Sequence, residues 1–275
     1  MAYIEVKNLI LNNNTINLSF DKEIVGIYGD NQELIKEFML IISGINKNNN
    51  TCFYKDEDLF DNPKFFKNRL FLDFLEVYTN TLKKEFIAEN FLNRFEREFN
   101  QDKFKKLIKD LHLRKETNID VAYTFTKTGN TLVNYSLVEC LNIYNIIISH
   151  PTVSLDTKER IEMVVNGLTN KEKYDNVILN LDNVGYFKGK LDKIVFFTKD
   201  NKVIECSGKD TLLLIEDNIH LRNVISYAKD NYVIAYNDYT KEELKHFNKV
   251  KIKYKEISVY DIEKYKEEKL WKEKR

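Results

Sequence analysis

The segment from Gly26 to Gly44, G-I-Y-G-D-N-Q-E-L-I-K-E-F-M-L-I-I-S-G, constrains the fold more than any other part of the chain. A strand-like run, Ile24 to Tyr28, meets a turn at Gly29, Asp30 and Asn31. Beyond the turn, apolar residues recur at Leu34, Phe38, Ile41 and Ile42, which is the spacing of one helix face. Gly44 then suits a helix C-cap. A strand, a tight turn and a helix in immediate succession predict an architecture in which strands and helices alternate.

The rest of the chain keeps up that alternation. IEVKNL, TINLSF, CFY and RLFLDF read as strands. Between residues 80 and 113 the character changes: LKKEFIAENFLNRFEREF and DKFKKLIKDLHL are amphipathic helices whose charges sit on a solvated face. LVNYSLVECLNIYN continues as a helix into the buried strand IIIS. LDTKERIEMVVNGL is helical, and VILNL, KIVFFTK and KVIECSG are strands. The tail reads as helix (KDTLLLIED), helix (NVISYAKD), strand (YVIAYN), helix (EELKHF), strand (KVKIKYK) and a final charged helix from about Val259. The expected class is α/β, with a mostly parallel core sheet, N-terminal antiparallel strands, a helical insertion and a small α/β C-terminal extension.

Composition removes several functions. The 43 basic and 43 acidic side chains cancel, so no bulk field draws nucleic acid or an anionic membrane. Cys52, Cys140 and Cys206 are widely spaced and odd in number, which fits buried thiols in a reducing compartment. The N-terminus is not expected to be a signal peptide, and no stretch of ~18 uncharged apolar residues predicts a membrane span. Eight glycines and two prolines in 275 residues leave little for chemistry that runs on glycine-rich loops.

Three places in order carry a resemblance. G-I-Y-G-D-N-Q-E-L-I-K-E resembles the Walker A loop of ATP-binding-cassette (ABC) ATPases, G-x-x-G-x-N-G-x-G-K-S-T. I-I-I-S-H-P-T-V-S-L-D-T-K-E-R is similar to their Walker B strand and D-loop, L-L-L-D-E-P-T-x-x-L-D-x-x-x-R. K-L-D-K-I-V-F-F-T-K-D-N-K-V-I-E-C-S-G resembles their closing hairpin. The resemblance covers residues 1–216, with the helical subdomain at about 78–145. Residues 217–275 are similar in layout to the C-terminal extensions of bacterial exporter subunits.

The groups that would do chemistry are replaced. A phosphate loop aims backbone N–H groups at the phosphates, with a lysine on the terminal ones and a hydroxyl on Mg²⁺. Gly29, Asn31 and Lys36 are the remnants; the other glycine positions hold Gln32 and Leu34, the lysine position holds Ile35, and the hydroxyl positions hold Lys36 and Glu37. Lys36 lies one residue on, turned by about 100° around the helix. Losing the lysine contact alone costs about 2–5 kcal/mol, or roughly 30- to 4000-fold in affinity. The resemblance places Ser149 at the metal-holding aspartate and His150 at the water-polarising glutamate. His150 is read here as no more than a side chain before Pro151. The signature falls at Thr126–Asn130, where Gly129 survives and Lys127 replaces the serine. The Q-loop glutamine falls near Asp73 or Phe74, and the switch histidine near Leu181, before Asp182.

What the resemblance implies is a catalytically inactive nucleotide-binding-domain-like subunit of an exporter. It would pair with an active ATP-binding subunit, or with a second copy, beneath a membrane permease, as a peripheral protein at the inner face of the cell membrane. Gly129, Ser154, Leu155 and Asp156 are the expected interface positions. Asp156 serves equally as a helix N-cap or first-turn acid. No catalytic residue, metal or cofactor is expected, with ATP and Mg²⁺ bound only if the altered loop still holds them. Two alternatives stand beside this reading: a nucleotide sensor or slow ATPase using Lys36 and His150, and a stand-alone interaction or regulatory protein.

Overall fold

The computed structural model describes residues 3–48, 50–75, 99–113, 126–217 and 221–266. The helix expected over residues 82–99, apart from Phe99, and most of the final charged helix lie outside them.

The centre is a six-stranded sheet built around β3 (Ile24–Gly29), every residue of which is buried. β3 pairs in parallel with β8 (Asn176–Asn180) on one side and β9 (Lys193–Phe197) on the other. β8 continues to β7 (Asn145–Ser149) and then β6 (Arg69–Asp73), again in parallel. β10 (Val203–Ser207) closes the far edge as the antiparallel arm of a hairpin with β9. The continuous apolar runs of β3, β7 and β8 follow from burial on both faces. In front lies a small antiparallel sheet of β1 (Ile4–Leu11), β2 (Asn14–Phe20), β4 (Cys52–Tyr54) and β5 (Glu57–Asp58).

Helix α1 (Gln32–Ile42) is sandwiched between the two sheets and buries Leu34, Ile35, Phe38, Met39, Ile41 and Ile42. These join Leu9 and Ile16 on one side and Val25, Ile147, Ile178 and Val195 on the other. The helix stops where Gly44 takes φ +77°, as its sequence position predicts. A short helix, α2 (Pro63–Asn68), leads into β6. The opposite face of the central sheet is covered by α3 (Gln101–Asp110), α4 (Lys127–Cys140) and α5 (Lys158–Leu168), through residues such as Phe104, Leu132, Val133, Val164 and Leu168.

The C-terminal region departs from the sequence expectation. The segments expected as helices, KDTLLLIED and NVISYAKD, form strands β11 (Thr211–Glu216) and β12 (Val224–Ala228). With β13 (Tyr232–Tyr236) and β14 (Tyr254–Ser258) they make an antiparallel sheet in the order β12-β13-β11-β14. Short apolar runs fit either period, and the available edge of a neighbouring strand decides. This sheet begins at Thr211, inside the 1–216 segment. Helix α6 (Lys241–Lys249) packs on it through Phe247 against Ile215 and Val233, opened by a capping box of Thr240 and Glu243. The chain beyond β14 turns into the single turn α7 (Ile262–Tyr265) rather than a long helix within the described residues.

Candidate functional site at the strand ends

Open parallel sheets bind ligands beyond the carboxyl ends of their strands, where the connections diverge. Two groups of side chains occupy that edge here.

The first is the turn after β3. Two residues, Asp30 and Asn31, separate Gly29 from the first residue of α1. The Asn31 side chain caps the helix by accepting from the Leu34 N–H at 3.1 Å, and the Asn31 carbonyl accepts from Ile35 N–H at 3.1 Å. The Gln32 N–H donates to the Asp30 carbonyl, and its side-chain amide donates to the Gly29 carbonyl at 2.7 Å. The N–H groups of Gln32, Leu34 and Ile35 at the start of the helix are therefore engaged within the chain. Ile35 is completely buried. Its Cδ1 would lie 3.3 Å from a Cβ placed on Gly29, so the isoleucine packs over the turn. Gly29 has its own structural reason: a Cβ there would come within 2.5 Å of the Phe197 carbonyl oxygen of β9. Lys36 sits on the exposed side of α1 with Glu33 and Glu37.

The turn also carries a built-in anion. Asp30 is clamped by the ammonium groups of Lys199 at 2.6 Å and Lys266 at 2.7 Å, and accepts from the Ser226 hydroxyl at 2.9 Å. Burial acts to raise the carboxyl's pKa, but the two lysines outweigh it and hold it below its ordinary value. Tyr28, one residue before Gly29, donates its hydroxyl proton to Glu263 and accepts from Lys266 at 2.6 Å. The Asn31 side-chain amide donates to the Asn201 side chain. A clamped carboxylate, a side-chain cap and a buried isoleucine thus occupy this turn.

The second group was not visible as a unit in the sequence. Asp73 ends β6, His150 follows β7 and Asp182 follows β8. His150 Nδ1 lies 2.9 Å from Asp73 Oδ1, and both side chains are largely buried. His150, read from the sequence as a side chain before Pro151, has Asp73 as its partner. Burial opposes the imidazolium, yet the bond to Asp73 and the charges of Asp182 and Asp73 prevail over it and over Lys36, raising the histidine's pKa. Burial pushes Asp182 up to about 6, with the charge of Asp73 adding to it and that of His150 opposing. Asp182 Oδ2, the Asn180 amide and the Thr152 hydroxyl are buried without hydrogen-bond partners among the described residues. Ser149 is buried beside them, its Cα paired in register with Asp73 on β6 and with Asn180 on β8. Among the described residues no group of three acidic, histidine or cysteine side chains is arranged to hold a metal ion, and no helix is long and apolar enough to cross a membrane. The signal for this cluster was register. Three neighbouring parallel strands each place a titratable residue at or just past their last position.

The expected interface residues are brought together in part. Gly129 lies buried in the first turn of α4, its N–H donating to the Thr126 cap. The Ser154 carbonyl accepts from the Thr128 hydroxyl at 2.5 Å, and the Val153 carbonyl from Thr131, so the turn before α5 is strapped to the start of α4. Leu155 is half-buried against the core. Asp156 is exposed and bonds Arg160 at 2.8 Å; the cap of α5 is Thr157.

No family model and no curated protein matches the sequence. Solved structures do match the fold. A component of the ABC transporter complex CbiONQ from Clostridium perfringens aligns at TM-score 0.54 and 14% identity, over 75% of this chain and 88% of that one. A putative cobalt transport ATP-binding protein aligns at TM-score 0.59 and 14% identity, over 86% and 93%. A dimeric bacterial ABC transporter cassette aligns at TM-score 0.57 and 17% identity, over 74% and 98%. The chain has the fold of the ABC ATP-binding cassettes.

Proposed function

We propose that this chain is a nucleotide-binding-domain-like subunit of an ABC exporter that turns over little or no ATP. It pairs with an active ATP-binding subunit or a second copy beneath a membrane permease, at the inner face of the cell membrane. One observation carries the inactive part of this reading. At the turn where a cassette would cradle phosphate, Ile35 is buried over Gly29 and Asp30 brings a carboxylate already clamped by Lys199 and Lys266. The strapped turn from Val153 to Asp156 supports a retained docking surface. The alignment to a dimeric cassette supports pairing.

The test is calorimetric titration with Mg-ATP to millimolar concentration, with thermal unfolding in parallel. No heat and no rise in Tm are expected. Binding tighter than about 0.1 mM, roughly −5.5 kcal/mol, overturns the inactive reading. The His150–Asp73 pair, close enough to Lys36 to feel its charge, favours a slow-ATPase or sensor reading as the second choice. In that case His150→Ala with Lys36→Ala abolishes a measurable hydrolysis rate.

A further inference from the structure

On the inactive reading proposed above, the strand-end cluster is left with another task. Its members tie three separate connections. Asp73 Oδ1 receives both His150 Nδ1 and the Leu75 N–H at 3.0 Å. The Phe74 N–H donates to the Ser149 carbonyl at 2.9 Å, and the Phe74 carbonyl accepts from the Asn130 side chain of α4 at 3.0 Å. The His150 N–H donates to the Asn180 carbonyl. His150 itself sits in the left-handed region at φ +56°, as does Ser154 at +62°, so the turn between them is held rather than relaxed. The charged groups facing His150 are Asp73 from β6, Asp182 beyond β8 and Lys36 from α1. An imidazolium here stands among two carboxyl groups. Without its proton, those carboxyls face one another across a neutral ring, with one Asp182 oxygen unpartnered among the described residues.

We propose that Asp73, His150 and Asp182 form a proton-operated clasp: protonated, it holds the Phe74–Leu75 corner and the His150–Asp156 turn together, and deprotonated it loosens both. The bond from His150 to Asp73 survives deprotonation with the neutral ring's N–H as donor, but without the attraction of the imidazolium charge. The loosening is therefore graded, and the fold remains intact. The raised proton affinities of His150 and Asp182 both favour the closed form toward acidic pH.

The experiment follows the His150 ring signal of the full chain by NMR, identified by its loss in His150→Gln. Amide exchange at Phe74, Leu75, Val153 and Leu155 is measured alongside from acidic to alkaline pH. After correction for the tenfold-per-pH-unit intrinsic rate, protection at these amides is expected to fall several-fold as His150 deprotonates, with a midpoint above the free-histidine value of roughly 6.5. Asp182→Asn is expected to lower that midpoint, and His150→Gln to remove the pH dependence. A midpoint at or below the free value overturns the clasp, as does protection that ignores the titration. If His150→Gln fails to fold, the wild-type titration and Asp182→Asn decide alone.

Discussion

The turn after β3 and the ends of β6, β7 and β8 lie on the same edge of one sheet, yet they solve the burial of charge in opposite ways. At the turn, Asp30 is matched by two lysines and a hydroxyl. At the strand ends, one histidine faces two carboxyls, and several buried polar atoms find no partner among the described residues. Their pH dependence has opposite sign. Asp30 has a depressed pKa, so its contribution is present above the unfolded value near 3.8 and is lost as pH falls through the folded one. His150 has a raised pKa, so its contribution is complete below the unfolded value near 6.5 and is lost as pH rises through the folded one. A fold can thus keep a paired charge as a fixed brace and an under-paired cluster as an adjustable one.

The hardest blow to this contrast is Ile35→Lys, which puts a lysine at the position that the resemblance aligns with the Walker A lysine. With Ile35 wholly buried, the new charge has no partner, and a loss of about 3–5 kcal/mol in urea unfolding is expected, without Mg-ATP binding. A stable variant that binds nucleotide would make the turn a dormant phosphate site. Gly29→Ala comes next, at about 1–3 kcal/mol, because its methyl meets the Phe197 backbone. A neutral result would sink the packing reason for that glycine. Asp30→Asn is expected to cost about 1–2 kcal/mol near pH 7. The effect shrinks with salt, since Lys199 and Lys266 are partly exposed, and wild type and variant converge at strongly acidic pH. Asp182→Asn should be the mildest and of opposite sign. It is expected to be about 1 kcal/mol more stable than wild type at alkaline pH, with the difference gone below about pH 4, where the unfolded carboxyl also holds its proton. A destabilised variant at every pH would mean that Asp182 braces the fold as a charge.

The core sheet and α1 were legible because long apolar runs and a helical period agree with their burial on both sides. Thr211–Glu216 and Val224–Ala228 were misread because their short apolar runs carry no period of their own; β13 supplies the edge that makes them strands. Gly29 and Asn31 were legible as residues, but their packing and capping tasks were not. The clash at Phe197 and the cap on Leu34 depend on neighbours far apart or in register. The His150–Asp73 pair was not legible because the two residues are 77 apart in sequence.

Lys266 reaches Tyr28 across 238 residues of chain, and Ser226 reaches Asp30 across 196. During synthesis, the end of β3 is made about 200 residues before the groups that neutralise it. Until then the Asp30 carboxylate and the Tyr28 hydroxyl must be served by water. These contacts can close only after the long stretch of chain between them has been made, and closure over such separations slows folding.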